Sequence, residues 1–114
     1  MGQGRKTVRG ICEALPGAEL SDPWGGGHDA WKVGGKLFAT VGMMDTGVAV
    51  KCADVEAAEL LIDLGRAERA PYFHRSWVLI PWDRVEDDEL RDRIVASYRI
   101  IRGKLPKKVQ AELG

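Results

Sequence analysis

The segment HDAWKVGGKLFATVGMMDTGVAVK, residues 28–51, decides the fold class of this chain. Its apolar and β-branched runs predict three strands, at residues 30–33, 36–41 and 48–51. Gly34 and Gly35 separate the first two, and a type I′ hairpin turn needs positive φ at both of its central residues. A second turn falls at residues 45–47. The segment therefore predicts an antiparallel three-stranded meander.

Helical periodicity accounts for most of the remaining chain. Apolar residues recur at helical spacing in three segments, residues 7–15, 55–64 and 87–102. Asp54 is a suitable N-cap for the second of these segments. Pro106 suits the first turn of a short final helix at residues 106–113. Residues 16–29 are interpreted as an irregular connection, and residues 72–74 and 76–80 as two further strands. We therefore expect one α+β domain over residues 1–114, with an antiparallel sheet of about five strands and helices packed on one face.

Bulk composition excludes several classes of protein. The 114 residues carry a formal net charge of +0, so no global field favours a polyanion or a membrane. Cys12 and Cys52 are too few for a disulfide framework and are expected to be buried free thiols. The chain has no apolar run long enough for a membrane span and no secretory signal. We expect a cytoplasmic monomer with no membrane partner.

The sequence offers little support for catalysis or metal binding. His28 and His74 are the only histidines, and no clustered ligand spacing or nucleophile–base motif accompanies them. The glycines at 25–27 precede a strand rather than a helix, so they do not predict a phosphate cradle. The acids at 83–89 are explained by helix capping. We expect no catalytic residues, no metal site and no cofactor.

Basic residues provide the stronger functional signal. Arg91, Arg99 and Arg102 fall within about 80° of one another on the predicted helix, off its apolar stripe. Long cationic side chains are what neutralisation of phosphates requires. The candidate nucleic-acid contacts, from the two strand turns and the basic C-terminal segment, are Lys32, Lys36, Arg75, Arg91, Arg99, Arg102, Lys107 and Lys108.

An alternative interpretation assigns function to the aromatic residues. These residues would line a pocket between the Gly-rich loop and the sheet, making the chain a small-molecule or protein interaction module. The candidate lining residues are Trp24, His28, Trp31, Tyr72, His74 and Trp77. The sequence does not determine which face of the sheet each of them occupies, so both interpretations stay open.

Several short motifs, taken in order, resemble the MmcQ/YjbR family of small bacterial proteins. The matching pieces are Leu15-Pro16-Gly17, His28 with Trp31-Lys32-Val33, Gly35-Lys36-Leu37-Phe38-Ala39, Val50-Lys51-Cys52, Tyr72-Phe73-His74 with Trp77, Ser97-Tyr98 and Lys104-Leu105-Pro106-Lys107-Lys108. The resemblance covers essentially the whole chain.

The resemblance implies a CyaY-like, or frataxin-like, α+β arrangement with a "double wing" suited to DNA. On that analogy the wings are the turns at residues 33–36 and 74–77. Frataxins bind iron through an acidic ridge, whereas the first helix here carries Arg5, Lys6 and Arg9. We therefore expect a non-enzymatic DNA-binding protein that contacts phosphates, and no iron site.

Overall fold

A computed structural model describes residues 4–22, 25 and 27–114. The helices among these residues are α1 (Gly4–Glu13), α2 (Val55–Asp63), α3 (Asp87–Gly103) and α4 (Lys107–Leu113), with a 3-10 turn at Trp82–Arg84. The strands are β1 (Ala18–Ser21), β2 (Asp29–Val33), β3 (Lys36–Val41), β4 (Gly47–Lys51), β5 (Glu68–Arg69) and β6 (Trp77–Pro81). The order of elements confirms the predicted α+β class.

The described strands form one sheet in the order β1-β2-β3-β4-β6-β5, and all neighbours are antiparallel. The sheet has six strands rather than the five expected. The additional strand β1 lies within residues 16–29, which are predicted to be an irregular connection. Its residues are largely exposed and show no apolar alternation, so the sequence pattern does not predict a strand there. The predicted strand at residues 72–74 is wrong. Tyr72 has a φ of 72°, which no extended strand accommodates, and Glu68–Arg69 pairs with β6 instead.

The hairpin between β2 and β3 contains a β-bulge. The register shifts after Trp31, so Phe38 has no partner residue on β2 and its side chain is fully buried. Ser97 of α3 donates its hydroxyl to the Phe38 carbonyl at 2.6 Å and accepts the Lys51 amide at 2.9 Å. The Phe38 ring meets Tyr98 edge-on at 5.3 Å. Consecutive residues of α3 therefore hold the bulge in place.

The main core lies between one face of the sheet and the helices, as predicted. Its largest fully buried side chains include Phe38, Ile94 and Val8. The opposite face, called here the open face, carries a smaller buried cluster of Ala49, Ala70 and Trp77. No helix among the described residues is long and apolar enough to cross a membrane.

The two cysteines differ in burial. Cys12 is fully buried in the main core, and desolvation, with a smaller contribution from the charge of Asp29, raises the pKa of its thiol to about 12. Cys52 is half-buried, and desolvation also raises its pKa. Both are free thiols. The predicted burial is therefore complete for Cys12 and partial for Cys52.

Candidate nucleic-acid interface

The two turns proposed as wings lie at the same edge of the sheet. Val33 pairs with Lys36 across the tight turn between β2 and β3. Lys51 at the end of β4 pairs with Trp77 at the start of β6. Because neighbouring strands are antiparallel, the turn at 33–36 and the start of β6 lie at the same end of the strands. This end of the sheet is called here the turn edge, and the other end of the strands is the opposite edge.

The C-terminal helices reach this edge as well. A Cβ atom placed on Gly34 would lie 2.6 Å from Cδ1 of Leu105, so the turn packs directly against the α3–α4 junction. Lys104 precedes this contact in the chain. Burial, and next the nearby charge of Lys104, lower the pKa of Lys51. The junction therefore adds its lysines to the turn edge.

Acidic residues gather at the opposite edge, where Gly47 pairs with Pro81. Trp82 donates its indole N–H to the Asp45 carbonyl at 2.7 Å, which fixes the connection leading into α3. A surface depression of about 510 Å³ beside Gly4 is lined by four exposed acids, Asp83, Glu86, Asp87 and Asp88. The formal net charge of zero therefore conceals an uneven distribution, with four exposed acids around this depression, called here the acidic edge, and exposed lysines toward the turn edge.

The predicted cations differ in how much of their charge is available. Lys36, Lys107 and Lys108 are exposed, the first beside the hairpin turn and the other two at the start of α4, directly after the α3–α4 junction. Arg75 is exposed as well, but it forms an ion pair with Glu59 at 2.7 Å. Both side chains of that pair are more than half exposed, so the pair is weak and an anion can compete for the guanidinium.

Arg102 does not continue the predicted basic ridge. Its guanidinium donates to the carbonyls of Gln110 and Gly114, at 2.9 and 2.8 Å. These carbonyls end α4 and lack intrahelical partners, which is why a cationic donor is stabilised there. Arg102 therefore fastens α4 to α3, a role that helical spacing alone does not reveal.

The remaining predicted cations lie away from the turn edge or on another surface. Lys32 projects from the open face, opposite Glu19 of β1. Arg91 and Arg99 are exposed on α3. Arg91 precedes Arg99 by eight positions on the helix, so it lies about 12 Å nearer the acidic edge.

A chain of hydrogen bonds joins Lys51, Ser76 and His74 near the turn edge. Lys51 Nζ donates to Ser76 Oγ, and Ser76 Oγ lies 2.9 Å from His74 Nδ1. The Ser76 amide also donates to Nδ1, at 3.1 Å, so this nitrogen is an acceptor that closes the turn. Ser76 is 2% exposed. No local sequence pattern indicates this hydroxyl–base contact, and Ser76 is too deeply buried for a substrate to reach Oγ.

The open face carries a cavity of about 480 Å³, which bears on the alternative interpretation. Its lining residues are His28, Thr40, Gly42, Ala49, Ala70, Pro71, Tyr72, Phe73 and Leu79. Of the six residues predicted for the aromatic pocket, His28 and Tyr72 therefore come together. Trp24 lies outside the described residues.

The other three predicted pocket residues have different environments. Trp31 is 3% exposed in the main core, on the helix side of the sheet, so its inclusion in the pocket was wrong. Trp77 lies on the open face but is covered by Phe73, with ring centroids 4.8 Å apart. His74 belongs to the hydrogen-bond chain with Ser76.

Asp29 is a buried carboxylate that the sequence analysis did not single out. It is 3% exposed and accepts from Arg9 at 2.7 and 3.0 Å and from Arg5 at 2.7 Å. Hydrogen bonding to Arg9, and then the charges of both arginines, lower its pKa. The basic first helix thus neutralises a carboxylate of the sheet. No cluster of three or more His, Cys, Asp or Glu side chains suited to a metal occurs in the described part of the chain.

Two comparisons with known proteins gave matches. The family model described as YjbR matches residues 13–100. Among solved structures, the crystal structure of Deinococcus radiodurans protein DR2400, with a DUF419 domain, is similar at a TM-score of 0.83 and 22% sequence identity. The match covers 94% of this chain and 85% of that one. A search of curated proteins found no match. At this identity the structural likeness shows a shared fold.

Proposed function

The chain belongs to the YjbR family, and we propose that it is a non-enzymatic DNA-binding domain that contacts backbone phosphates through its turn edge. The proposed contacts are four lysines, Lys36 of the hairpin turn and Lys104, Lys107 and Lys108 of the α3–α4 junction. Arg75 joins them when a phosphate displaces Glu59.

The observation that carries this proposal is the separation of charge between the two edges. Lys36 and the three junction lysines are exposed, and none forms an ion pair with another described residue. Two cations of α1, Arg5 and Arg9, are instead bound to Asp29. A polyanion is therefore attracted to the turn edge and repelled from the acidic edge.

The type of cation indicates how DNA would be recognised. Lysine presents a compact charge with freely rotating donors and suits phosphate oxygens, which carry no base sequence. None of the four proposed contacts is an arginine, the residue that most often reads guanine in the major groove. We therefore expect affinity for duplex DNA with weak sequence preference.

The burial of Ser76, whose hydroxyl contacts the His74 imidazole, supports the non-enzymatic part of the proposal. Ser76 has the hydrogen-bond partners of an activated hydroxyl, but both Lys51 and His74 serve to close the turn around a buried Oγ. A nucleophile must reach the reacting atom of a substrate, which this burial prevents.

Charge reversal at the two edges provides the test. Lys36→Glu and Lys107→Glu are compared with Lys6→Glu, an equal charge change on the exposed first turn of α1 near the acidic edge. Fluorescence anisotropy with a labelled duplex at low salt measures the affinity. We expect several-fold weaker binding for the first two variants and little change for the third. Equal losses in all three, or no binding by the unmodified protein, would overturn the proposal.

A further inference from the structure

We propose that the open-face cavity is a binding site for an uncharged, planar aromatic small molecule. This site is separate from the turn edge and does not depend on DNA binding. It lies between the strands of the open face and residues 70–73, which follow β5 and fold back over the sheet.

Small side chains on the central strands create the space. Thr40 and Ala49 are directly opposite each other on β3 and β4, and Gly42 follows the end of β3. These residues leave a depression of about 480 Å³ between larger neighbours. Ligand sites for small molecules have volumes of about 300–1,000 Å³, so the depression is large enough for a ring system of two or three fused rings.

The chemistry of the lining favours an uncharged ligand. The described lining residues include no Asp, Glu, Lys or Arg. Removal of a charged group from water into such a site is unfavourable when no opposite charge receives it. The hydroxyl of Thr40 and the phenol of Tyr72 are polar groups of the lining that can orient such a ligand.

Tyr72 indicates that the ligand is aromatic. Its backbone has a φ of 72°, a left-handed conformation that is strained for a bulky residue, and its side chain is fully exposed. The free-energy cost of this backbone conformation is therefore not offset by burial of the aromatic ring. A planar ligand in the cavity would stack against Tyr72 and cover it, as aromatic pairs do in offset or edge-on geometry.

Phe73 provides a rigid wall for the same site. Its ring stacks on Trp77 with an interplanar angle of 25°, and its amide donates to the Ala70 carbonyl at 3.3 Å. The segment that carries Tyr72 is thus fixed to the sheet at its next residue. A site with a fixed wall and an exposed ring loses little conformational freedom on binding.

The test uses neutral and anionic molecules with the same ring. Indole and 2-naphthol are compared with indole-3-carboxylate and 2-naphthoate by two-dimensional NMR titration of the complete chain. We expect saturable shifts for the neutral probes at the amides of residues 40–42, 70–73 and 79, and at least tenfold weaker binding of the anions. Absence of saturable binding by both neutral probes, or shifts confined to another surface, would overturn the proposal.

Two variants test whether indole binds specifically at this cavity or at any exposed apolar side chain. Tyr72→Gly relieves the positive φ, so its melting temperature should not fall, while its affinity for indole should fall at least fivefold. Leu60→Ala removes another exposed apolar side chain, on α2, and should bind indole normally. Unchanged affinity in a folded Tyr72→Gly protein would contradict the role given to the ring.

Discussion

Gly34 and Leu105 are in such close contact that a methyl group on Gly34 would lie within 2.6 Å of the leucine side chain. The contact joins the tip of the β2–β3 hairpin to the junction between α3 and α4. It places Lys36 beside the lysines that follow α3. The proposed interface therefore depends on a packing contact between two residues 71 positions apart in the numbering.

Substitution at the turn tests this contact. Gly34 and Gly35 have φ values of 57° and 81°, so alanine at either position costs about 1–2 kcal/mol in backbone strain. Only Gly34 crowds Leu105, whereas a Cβ on Gly35 meets nothing within 4 Å. We expect Gly34→Ala to lower the free energy of unfolding more than Gly35→Ala, as measured by urea denaturation. Equal losses would contradict the packing described.

Ser97 is expected to be important for stability because it satisfies two backbone groups at once. Ser97→Ala leaves the Phe38 carbonyl and the Lys51 amide without their partner, at a cost of about 2–4 kcal/mol. Ser21→Ala removes a longer contact, at 3.4 Å, and should change stability by less than about 0.5 kcal/mol. Chemical denaturation of the two variants measures the difference, and a near-neutral Ser97→Ala would contradict the account of the bulge.

The Asp29 carboxylate should make stability depend on pH. Its pKa is lower in the folded protein than in the unfolded chain, where it is close to about 3.9. Its contribution is therefore present above that pH and is lost as the pH falls through the folded-state pKa. Asp29→Asn should reduce the free energy of unfolding at pH 7, and the difference from the unmodified protein should shrink below pH 4.

A difference that is constant between pH 7 and pH 3 would show that the arginine pairs do not favour the ionised carboxylate. Glu13→Gln is the matched control, because Glu13 is an exposed acid of the same helix that carries Arg9. Its effect on stability should be small at both pH values.

Substitutions of Arg102 and Lys104 are expected to have different effects, the first on stability and the second on DNA binding. Arg102→Ala removes two hydrogen bonds to the end of α4 and should cost about 1 kcal/mol, with duplex affinity changed less than twofold. Lys104→Ala should leave stability unchanged and weaken duplex binding several-fold. Thermal unfolding and anisotropy together give both readouts. The reverse pattern would contradict the roles assigned to these two cations.

Local signals explain which elements the sequence could predict. The paired glycines, the N-cap at Asp54 and the apolar periodicity of α3 are properties of neighbouring residues, and the hairpin and helices predicted from them are confirmed. The strands β1 and β5 are short and largely exposed. They form because the outer sides of β2 and β6 offer backbone hydrogen-bonding groups for a further strand. This pairing depends on the tertiary structure and is not visible in the local sequence pattern.

The candidate site could be predicted less well, for the same reason. Spacing along a helix identified Arg102 as a surface cation, but only the position of α4 shows that its charge is used internally. Lys104 is not among the contacts predicted from the sequence, since nothing local reveals that Leu105 packs on the hairpin. Trp31 is wrongly included in the predicted pocket because the local sequence does not determine which face of β2 is buried.

The salt dependence of duplex affinity tests the central claim most directly. Release of counterions by four lysine–phosphate contacts gives a slope of about −3.6 for log K against log salt, or about 150-fold weaker binding at 200 mM than at 50 mM. Lys36→Glu should make this slope shallower by about one. An affinity that hardly changes over this range, or a slope that Lys36→Glu leaves unaltered, would contradict phosphate binding at the turn edge.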